Sequence, residues 1–494
     1  MQLRRSILIT FLSTNFTVLV SFGVIVVLSR LLTPAEVGIF SITVVFINIA
    51  AVLRDFGVAS YLRQQKDLTR EQSRSALGLL ITTGWSLALC LYIASEHLAN
   101  FYGQPGIGSV LRVLTISFAL IPFASYFHSQ LGRNLQAGRQ AAVNAIGMVA
   151  HAVTCLTLAF LGFSYMSLAW ANVANQCFSL VAYWFLRPSG VPLLPSFRGW
   201  GGMAKFGGST MAGDLAAAAN NALPDLLLGK LAGPHEVGLY SRGNGLVGMF
   251  NQIIGPTVSY NALPYMAKSY HSAIPLGPIL AKSTMLLTAV SWPGFAVIAV
   301  FGEDIIRVLF GATWIDAAPV VMVICIQSAV RIGYSMFGAA LVAVGRPSLY
   351  AFQTLVSLLA RVLVVYAVGA DTLMVFAIAI CVADILTMPM IQYMASRYIG
   401  YTLRMSLAAH ARSLLVGGAC LALALLLSHA VPVSWPAILR LGIVGFAEAA
   451  LWLFCILYFR HPLVEELGVI AKNLVPEKFV PQVKRFLQGR MPRA

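Results

Sequence analysis

The chain contains about fourteen apolar runs, each long enough to cross a lipid bilayer as one α-helix. Across its 494 residues, 59% are hydrophobic and 10% are charged, whereas soluble domains carry roughly 25% charged residues. This composition predicts an all-α integral membrane protein. The predicted spans are 6–30, 37–60, 75–95, 110–131, 142–162, 164–186, 206–230, 236–258, 281–301, 316–343, 348–368, 372–395, 413–430 and 437–459.

Two segments about 200 residues apart are nearly the same, which indicates an internal duplication. LLTPAEVGIFS begins at Leu31 and LAGPHEVGLYS begins at Leu231, and FYG at 101–103 is echoed by LFG at 309–311. We therefore predict two parallel repeats followed by smaller parts. These are an N-terminal six-helix lobe over 1–200, a C-terminal six-helix lobe over 201–412, a transmembrane helix pair over 413–459 and a basic cytoplasmic tail over 460–494.

The repeated PxEVG segment has residues suited to the start of a helix. Proline fits the first turn, where its missing N–H has no partner, glutamate suits the positive end of the helix dipole, and glycine permits close packing. These residues are Pro34, Glu36 and Gly38, with the counterparts Pro234, Glu236 and Gly238. Parallel repeats are typical of transporters that move one half against the other. A duplication that only builds a stable bundle is the alternative, which the polar residues of the spans make less attractive.

The basic residues predict the orientation of the chain. Most of the 33 Lys and Arg residues fall on segments that are cytoplasmic if the N-terminus is inside, as the positive-inside rule requires. The net charge of +16 therefore reports topology, and we predict no nucleic-acid partner. All seven cysteines fall inside predicted spans without metal-like spacing, so we expect neither a metal site nor a disulfide framework.

Several motifs resemble a known family. RLLTPAEVGIFSI, RDFGVASYLRQ from Arg54, LGKLAGPHEVGLYSR from Leu228 and LFGATWIDAAPV from Leu309 are similar to segments of Wzx-type flippases of lipid-linked oligosaccharides. These proteins belong to the multidrug/oligosaccharidyl-lipid/polysaccharide exporter superfamily. The resemblance looks closest to its exopolysaccharide branch, which includes colanic acid and succinoglycan exporters.

The resemblance implies a MATE-like V shape of two six-helix lobes plus a C-terminal helix pair, and alternating access without ATP hydrolysis. It implies polyprenyl-pyrophosphate-linked oligosaccharide as substrate, membrane lipids as surroundings, and the bacterial inner membrane as location. A polysaccharide polymerase and export machinery are candidate partners. A peptidoglycan lipid-precursor flippase and a cation-coupled multidrug exporter of the same fold are the alternatives. We expect no enzyme activity, because the chain has no phosphate loop, no HExxH motif and no large outer segment.

Span seven has more polar residues than expected for a helix in lipid. Helical spacing places Asp214, Asn221 and Asp225 close to one line along the helix, and Asn220 and Lys230 lie on the same span. Because each buried polar group costs free energy unless it faces a cavity or a partner, we predict that this stripe lines a substrate cavity. Structural ion pairs of the two carboxylates with Lys230 or Arg242 are the alternative.

Cations form the second candidate constellation. Arg30, Lys230 and Arg242 fall near the predicted outer ends, whereas Arg331 and Arg361 lie well inside spans ten and eleven. A guanidinium can hold a pyrophosphate with two hydrogen bonds at once, so we assign all five to the cavity. Neutralisation of Arg331 or Arg361 by Asp384 is the alternative for that pair.

No cofactor is predicted, although a coupling H⁺ or Na⁺ is a candidate. A carboxylate between two lobes can bind a proton in one conformation and release it in the other. Asp214 and Asp225 are the preferred coupling residues, and Asp55 and Asp384 are the other candidates.

We expect both termini to face the cytoplasm, and reporter fusions test this. A reporter fused after Gly103 or Gly369 should read periplasmic, and one after Arg198 or at the C-terminus should read cytoplasmic, because Lys and Arg are retained inside. A periplasmic C-terminus would contradict the fourteen-span prediction.

Overall fold

A computed structural model describes residues 2–58, 61–62, 65, 68–134, 136–188, 190–459 and 461–464. These residues form helices joined by short turns, with no β-strand in this part of the chain. The predicted basic tail over 460–494 lies outside the described residues except for 461–464. The helices are α1 Gln2–Leu31, α2 Pro34–Asp55, α3 Arg70–Tyr102, α4 Pro105–Arg133, α5 Ala137–Phe160, α6 Met166–Leu186, α7 Gly201–Leu231, α8 Pro234–His271, α9 Leu276–Val300, α10 Gly302–Leu309, α11 Ala318–Ile332, α12 Phe337–Ala343, α13 Pro347–Val368, α14 Leu373–Ile399, α15 Leu403–Ala430 and α16 Ala437–Tyr458, with a 3₁₀ turn at Ala312–Ala317.

Eleven helical segments of the described chain are long and apolar enough to cross a membrane. This confirms the prediction of an all-helical, multi-span membrane protein. The other three predicted spans, 164–186, 206–230 and 236–258, coincide with α6, α7 and α8. Whether these three helices also cross the bilayer stays a prediction.

The helix predicted over 316–343 is interrupted. The structure has α11 and α12 in its place, separated by a turn at 333–336. The turn leaves the Gly333 carbonyl outside the helical hydrogen-bond ladder, and the Thr284 hydroxyl donates to that carbonyl at 3.2 Å. A broken helix is tolerated at membrane depth where neighbouring side chains satisfy the freed backbone groups, and Thr284 on α9 does so here.

The chain divides into two compact units, and neither is one continuous stretch. The first comprises Met1–Arg242, Leu309–Ala317 and Thr354–Phe376, and the second comprises Gly243–Val308, Ala318–Gln353 and Ala377–Ala494. In the first unit, α2 packs on α4 and α7, and α5 packs on α1 and α6. In the second unit, α9 packs against α11, α15 and α16. The lobe boundaries predicted from the repeat stay a prediction.

The same packing detail occurs once in each unit. In the first unit, a Cβ on Gly78 near the start of α3 would overlap the backbone carbonyl of Ser196, which follows α6. In the second unit, a Cβ on Gly277 at the start of α9 would overlap the carbonyl of Gly400, which follows α14. These are the third and sixth predicted spans of each repeat, so the duplication seen in the sequence extends to packing.

The two PxEVG segments pack against each other inside the first unit. A Cβ on Gly38 would overlap the backbone carbonyl of Pro234, and a Cβ on Gly238 would overlap the carbonyl of Pro34. Next to this crossing, the hydroxyls of Ser41 and Ser241 are 3.2 Å apart. Only glycine lets two backbones approach this closely, so each copy of the motif provides the surface that the other requires.

Hydrogen bonds fix the first copy of the motif at the start of α2. Thr33 and Glu36 form a reciprocal capping box, which satisfies amide hydrogens that the first helical turn leaves without partners. Glu36 also accepts a hydrogen bond from the Ser164 hydroxyl in the turn before α6. Glu36 therefore positions the start of α2 in addition to complementing the helix dipole.

Gly38→Ala or Gly238→Ala should strongly destabilise the protein, because the added methyl group would overlap a proline carbonyl in either case. We expect each change to cost at least about 1–3 kcal/mol and to lower the thermal denaturation midpoint in detergent. Gly23→Ala is the matched control, because a Cβ there meets no atom within 4 Å. Equal stability of Gly38→Ala and Gly23→Ala would show that the crossing contributes nothing.

Candidate substrate-binding site

The polar stripe of α7 lies on an accessible face of the helix. Asp214 and Asn221 are exposed, and Asp225 is partly exposed. No hydrogen bond or ion pair joins Asp214 or Asp225 to the described residues, so the alternative of structural pairing with Lys230 or Arg242 is absent from that part of the chain. A charged side chain facing hydrocarbon is unfavourable. The stripe is therefore suited to line a hydrated path.

A proline interrupts the backbone hydrogen bonds of α7 beside this stripe. Pro224 lies inside the helix and has no amide hydrogen to donate to the carbonyl of Asn220 four residues earlier. Arg361 on α13 donates to that carbonyl from Nη1 at 3.2 Å and also to the Asn220 side-chain oxygen. The Asn220 amide nitrogen donates in turn to the Thr354 carbonyl at 3.0 Å.

Arg361 and Asn220 thus hold a broken helix in place. Arg361 is 5% exposed, and its guanidinium satisfies a carbonyl that would otherwise lack a partner. We predicted a cavity role for both residues. The observed geometry gives them at least a positioning role, because their contacts fix the part of α7 that presents Asn221 and Asp225.

Arg242 is a buried cation of the first unit. It lies on α8 and is 9% exposed. Its guanidinium carbon is 5.1 Å from the centre of the Trp314 ring. Its Nε is buried without a hydrogen-bond partner among the described residues, and no carboxylate there forms a salt bridge with it. A buried guanidinium without a counterion is costly, so this position is suited to receive an anionic group.

A hydrogen bond to α1 fixes Trp314 next to this guanidinium. The tryptophan is completely buried, and its Nε1 donates to the Ser29 carbonyl on α1 at 2.6 Å. An aromatic face stabilises a cation without neutralising its charge. The pair therefore fixes the orientation of Arg242 and leaves its hydrogen-bond donors available.

Arg30 and Lys230 occupy equivalent places in the two repeats, at the ends of α1 and α7. Both side chains are exposed. The Lys230 amine donates to the Phe101 carbonyl at 2.7 Å and lies 4.2 Å from the centre of the Phe101 ring. The Tyr102 hydroxyl beside it donates to the Leu226 carbonyl of α7 at 3.3 Å. The predicted outer end of α7 is thus anchored to α3.

The remaining predicted residues are Asp55, Asp384 and Arg331. Asp55 is paired with its neighbour Arg54 at 2.8 Å, and the Arg54 guanidinium carbon lies 5.1 Å from the Phe118 ring centre. Asp384 is buried in the second unit and accepts a hydrogen bond from Gln327 at 2.8 Å. Arg331 is exposed at the end of α11 in the same unit. The first unit therefore contains all the other predicted site residues.

Sequence reasoning did not assign a role to Trp314 or Tyr102. Both lie in or just after the FYG and LFG segments that mark the repeat. In both repeats this segment contacts the first helix of the other repeat, because Tyr102 bonds to α7 and Trp314 bonds to α1. The repeated spacing was a usable signal for this exchange of contacts.

Together, these features define a polytopic helical membrane protein whose first unit carries an accessible polar stripe and a buried guanidinium. The sequence identifies the family. Residues 27–319 match the family described as polysaccharide biosynthesis protein, and the chain belongs to it. This confirms the resemblance indicated by the motifs.

Similar proteins agree with this assignment. The teichuronic acid biosynthesis protein TuaB of Bacillus subtilis is 23% identical over 370 residues, covering 74% of this chain and 76% of TuaB. The succinoglycan biosynthesis transport protein ExoT of Rhizobium meliloti is 22% identical over 378 residues, covering 76% of each chain. The solved structure of the lipid II flippase MurJ in an inward closed conformation has a TM-score of 0.75 at 12% identity, covering 92% of this chain and 99% of that one. This structural likeness shows the fold.

Substitutions of Arg242 test whether its guanidinium holds an anion. We expect Arg242→Ala to weaken binding of a polyprenyl pyrophosphate at least about tenfold, because hydrogen bonds to charged groups contribute about 1.5–3 kcal/mol. Arg242→Lys should restore binding only in part, since lysine keeps the charge and loses the planar fork. Native mass spectrometry of the purified protein with the lipid measures both.

The control is Arg112→Ala, which removes an exposed arginine near Glu96 on the surface of α3 and α4. It should bind the pyrophosphate lipid as the parent does. Thermal stability of each variant must be compared in parallel, because loss of the Trp314 contact can lower stability. Unchanged binding by a stable Arg242→Ala protein would remove Arg242 from the site.

Proposed function

We propose that this chain is a flippase for polyprenyl-pyrophosphate-linked oligosaccharide repeat units. It would translocate them across the bacterial inner membrane for exopolysaccharide or lipopolysaccharide assembly. Family membership supports a role in polysaccharide biosynthesis, and the name of ExoT supports transport within that process. The fold shared with MurJ supports movement of a lipid-linked substrate. The protein is then a transporter and not an enzyme.

The observation that carries the proposal is the unneutralised guanidinium of Arg242 in the same unit as the accessible polar face of α7. A pyrophosphate needs a buried cation that no carboxylate already occupies, and Arg242 has none among the described residues. An oligosaccharide needs hydrogen-bonding groups along its path, which Asp214, Asn221 and Asp225 offer. Exposed Arg30 and Lys230 add positive charge at the predicted outer ends.

We propose fourteen membrane spans, arranged as two six-helix lobes in a V shape with α15 and α16 as an additional pair. Both termini would face the cytoplasm. Translocation would proceed by alternating access, in which the cavity opens first to one side of the membrane and then to the other. The contact of the two PxEVG segments would close the outer side in one of these states, and its separation would open that side.

Two alternatives have specific support. Likeness to MurJ favours a peptidoglycan lipid-precursor flippase, which has the same demand for a pyrophosphate site, although family membership favours polysaccharide assembly. A cation-coupled multidrug exporter would use the acidic residues of α7, but Arg30, Lys230 and Arg242 would repel a cationic drug. We therefore retain the polysaccharide assignment, with a polymerase and export machinery as proposed partners.

Translocation of the head group needs a driving force, and the chain has no nucleotide-binding loop. We propose that Asp214 or Asp225 couples transport to H⁺ or Na⁺. Neither has a salt bridge among the described residues, so either can bind a cation without first breaking an ion pair. Asp55 and Asp384 have partners and are the weaker coupling candidates.

Reconstituted vesicles test both the activity and its coupling. Purified protein should move an undecaprenyl-pyrophosphate-linked oligosaccharide between leaflets, and an imposed pH or sodium gradient should accelerate this movement. Asp214→Asn or Asp225→Asn should fold and should lose the response to the gradient, because the amide cannot exchange a proton or neutralise a sodium ion. Accessibility of the sugar to an added lectin or glycosidase reports the movement.

Asp371→Asn is the matched control, since Asp371 is exposed in the turn between α13 and α14 and should keep the parental response. If Asp214→Asn and Asp225→Asn both respond as the parent does, the coupling residue lies elsewhere. A parent protein that ignores every gradient would favour polymerisation at the outer face as the driving force. Failure to move the oligosaccharide under any condition would overturn the proposed function.

A further inference from the structure

A second acidic residue lies in the membrane far from the stripe of α7. Glu448 is the twelfth residue of the 22-residue helix α16, close to the middle of that predicted span. It is 5% exposed, and neither carboxyl oxygen has a hydrogen-bond partner among the described residues. Nothing in the proposed transport site uses this group.

The surroundings of Glu448 are apolar and closely packed. Helix α16 packs against α15 and α9, and the Trp452 indole, one turn beyond Glu448, donates to the Ala289 carbonyl of α9 at 2.9 Å. The Cys420 thiol of α15 is close enough to interact with the carboxyl, and Cys455 of α16 interacts with Cys420. Both thiols are buried, so neither offers a positive charge.

The charged groups of the same helices do not neutralise Glu448. Arg440 lies eight residues earlier on α16, about 12 Å away along the helix axis, and it is paired with Asp304 of α10 at 3.0 Å. The ionisable residue of α9 is Lys282, seven residues before Ala289, and on α15 Arg412 precedes Cys420 by eight residues. No salt bridge to Glu448 occurs within the described part of the chain.

The physical consequence concerns the protonation state. An unpaired carboxylate at the centre of a membrane span costs several kcal/mol, which the neutral acid avoids. A sodium ion would need several oxygen ligands, whereas the described side chain that interacts with this carboxyl is the Cys420 thiol. Glutamine would fill the same volume without any titration. The distinguishing property of glutamate here is its ability to bind a proton.

We propose that Glu448 is a proton-binding site in the C-terminal helix pair and that the bound proton keeps α16 packed against α9 and α15. Loss of the proton leaves an anion without a partner, and the favourable response is separation of α16 so that water or lipid head groups reach the carboxylate. This site is independent of the proposed transport function.

Thermal unfolding as a function of pH tests the linkage in lipid nanodiscs. The parent should lose stability as the pH rises through the titration of Glu448, with the apparent unfolding constant increasing by up to about tenfold per pH unit for one proton. Glu448→Gln should flatten this loss. Glu303→Gln, at an exposed glutamate on α10 that pairs with Arg307, should keep the parental profile.

An acid-side effect is expected from a different residue and has the opposite sign. Burial, followed by the nearby Arg412, lowers the pKa of His461 below its usual 6.5. Stability from neutral His461 is therefore present above that pH and is lost as the pH falls through 6.5 and below. Glu448→Gln should therefore remove the loss of stability that accompanies rising pH, and His461→Gln should remove the loss that accompanies falling pH.

Chemical labelling gives a second test that needs no folded variant. Dicyclohexylcarbodiimide reacts with a protonated carboxyl in an apolar place: the proton moves to a carbodiimide nitrogen and a carboxyl oxygen bonds to the central carbon. The resulting O-acylisourea rearranges to a stable N-acylurea. Peptide mapping should find this adduct on Glu448, and less of it as the pH is raised. Parallel pH profiles of the parent and Glu448→Gln, or no adduct on Glu448 at any pH, would overturn the proposal.

Discussion

Inside a bilayer, a polar group has no water to bond, so each one requires a partner from the protein. The helix breaks of this chain show how strictly the constraint is met. Pro224 removes an amide hydrogen from α7, and Arg361 supplies donors to the released carbonyl. The turn at Gly333 divides a predicted helix, and Thr284 donates to its carbonyl. Irregular backbone is present where a neighbouring helix provides the missing bond.

Against this background, the polar groups that lack partners are informative. Among the described residues, buried Arg242 lies near the Trp314 ring with no carboxylate bound to it, and buried Glu448 has no salt bridge. The two residues differ in the ligand that can compensate the buried charge. A guanidinium cannot lose its charge in a protein, so Arg242 needs an anion. A carboxyl can bind a proton, so Glu448 needs no other ligand. We therefore propose that Arg242 binds the substrate and that Glu448 binds a proton.

The duplication supplies the framework, and several of the proposed site residues depart from it. Gly38 and Gly238 preserve the crossing of the two motifs, because a side chain at either place would overlap a proline carbonyl. Position 42 carries a buried isoleucine in the first repeat, and the equivalent position 242 carries arginine. The acidic stripe of α7 likewise has no acidic counterpart in α1. The second copy thus carries charged residues where the first copy carries uncharged ones.

The sequence by itself determined the membrane environment, the helical class, the duplication and the family, because apolar run length, residue spacing and short motifs are local properties of the chain. Pairwise contacts depend on which helices become neighbours, and only the tertiary structure decided those. The sequence predicted close packing at Gly38 and Gly238, but the structure identified each one's partner as the proline of the other motif. The sequence predicted a cavity role for both Arg242 and Arg361, whereas folding gives Arg361 a carbonyl to bind and leaves Arg242 without a carboxylate among the described residues.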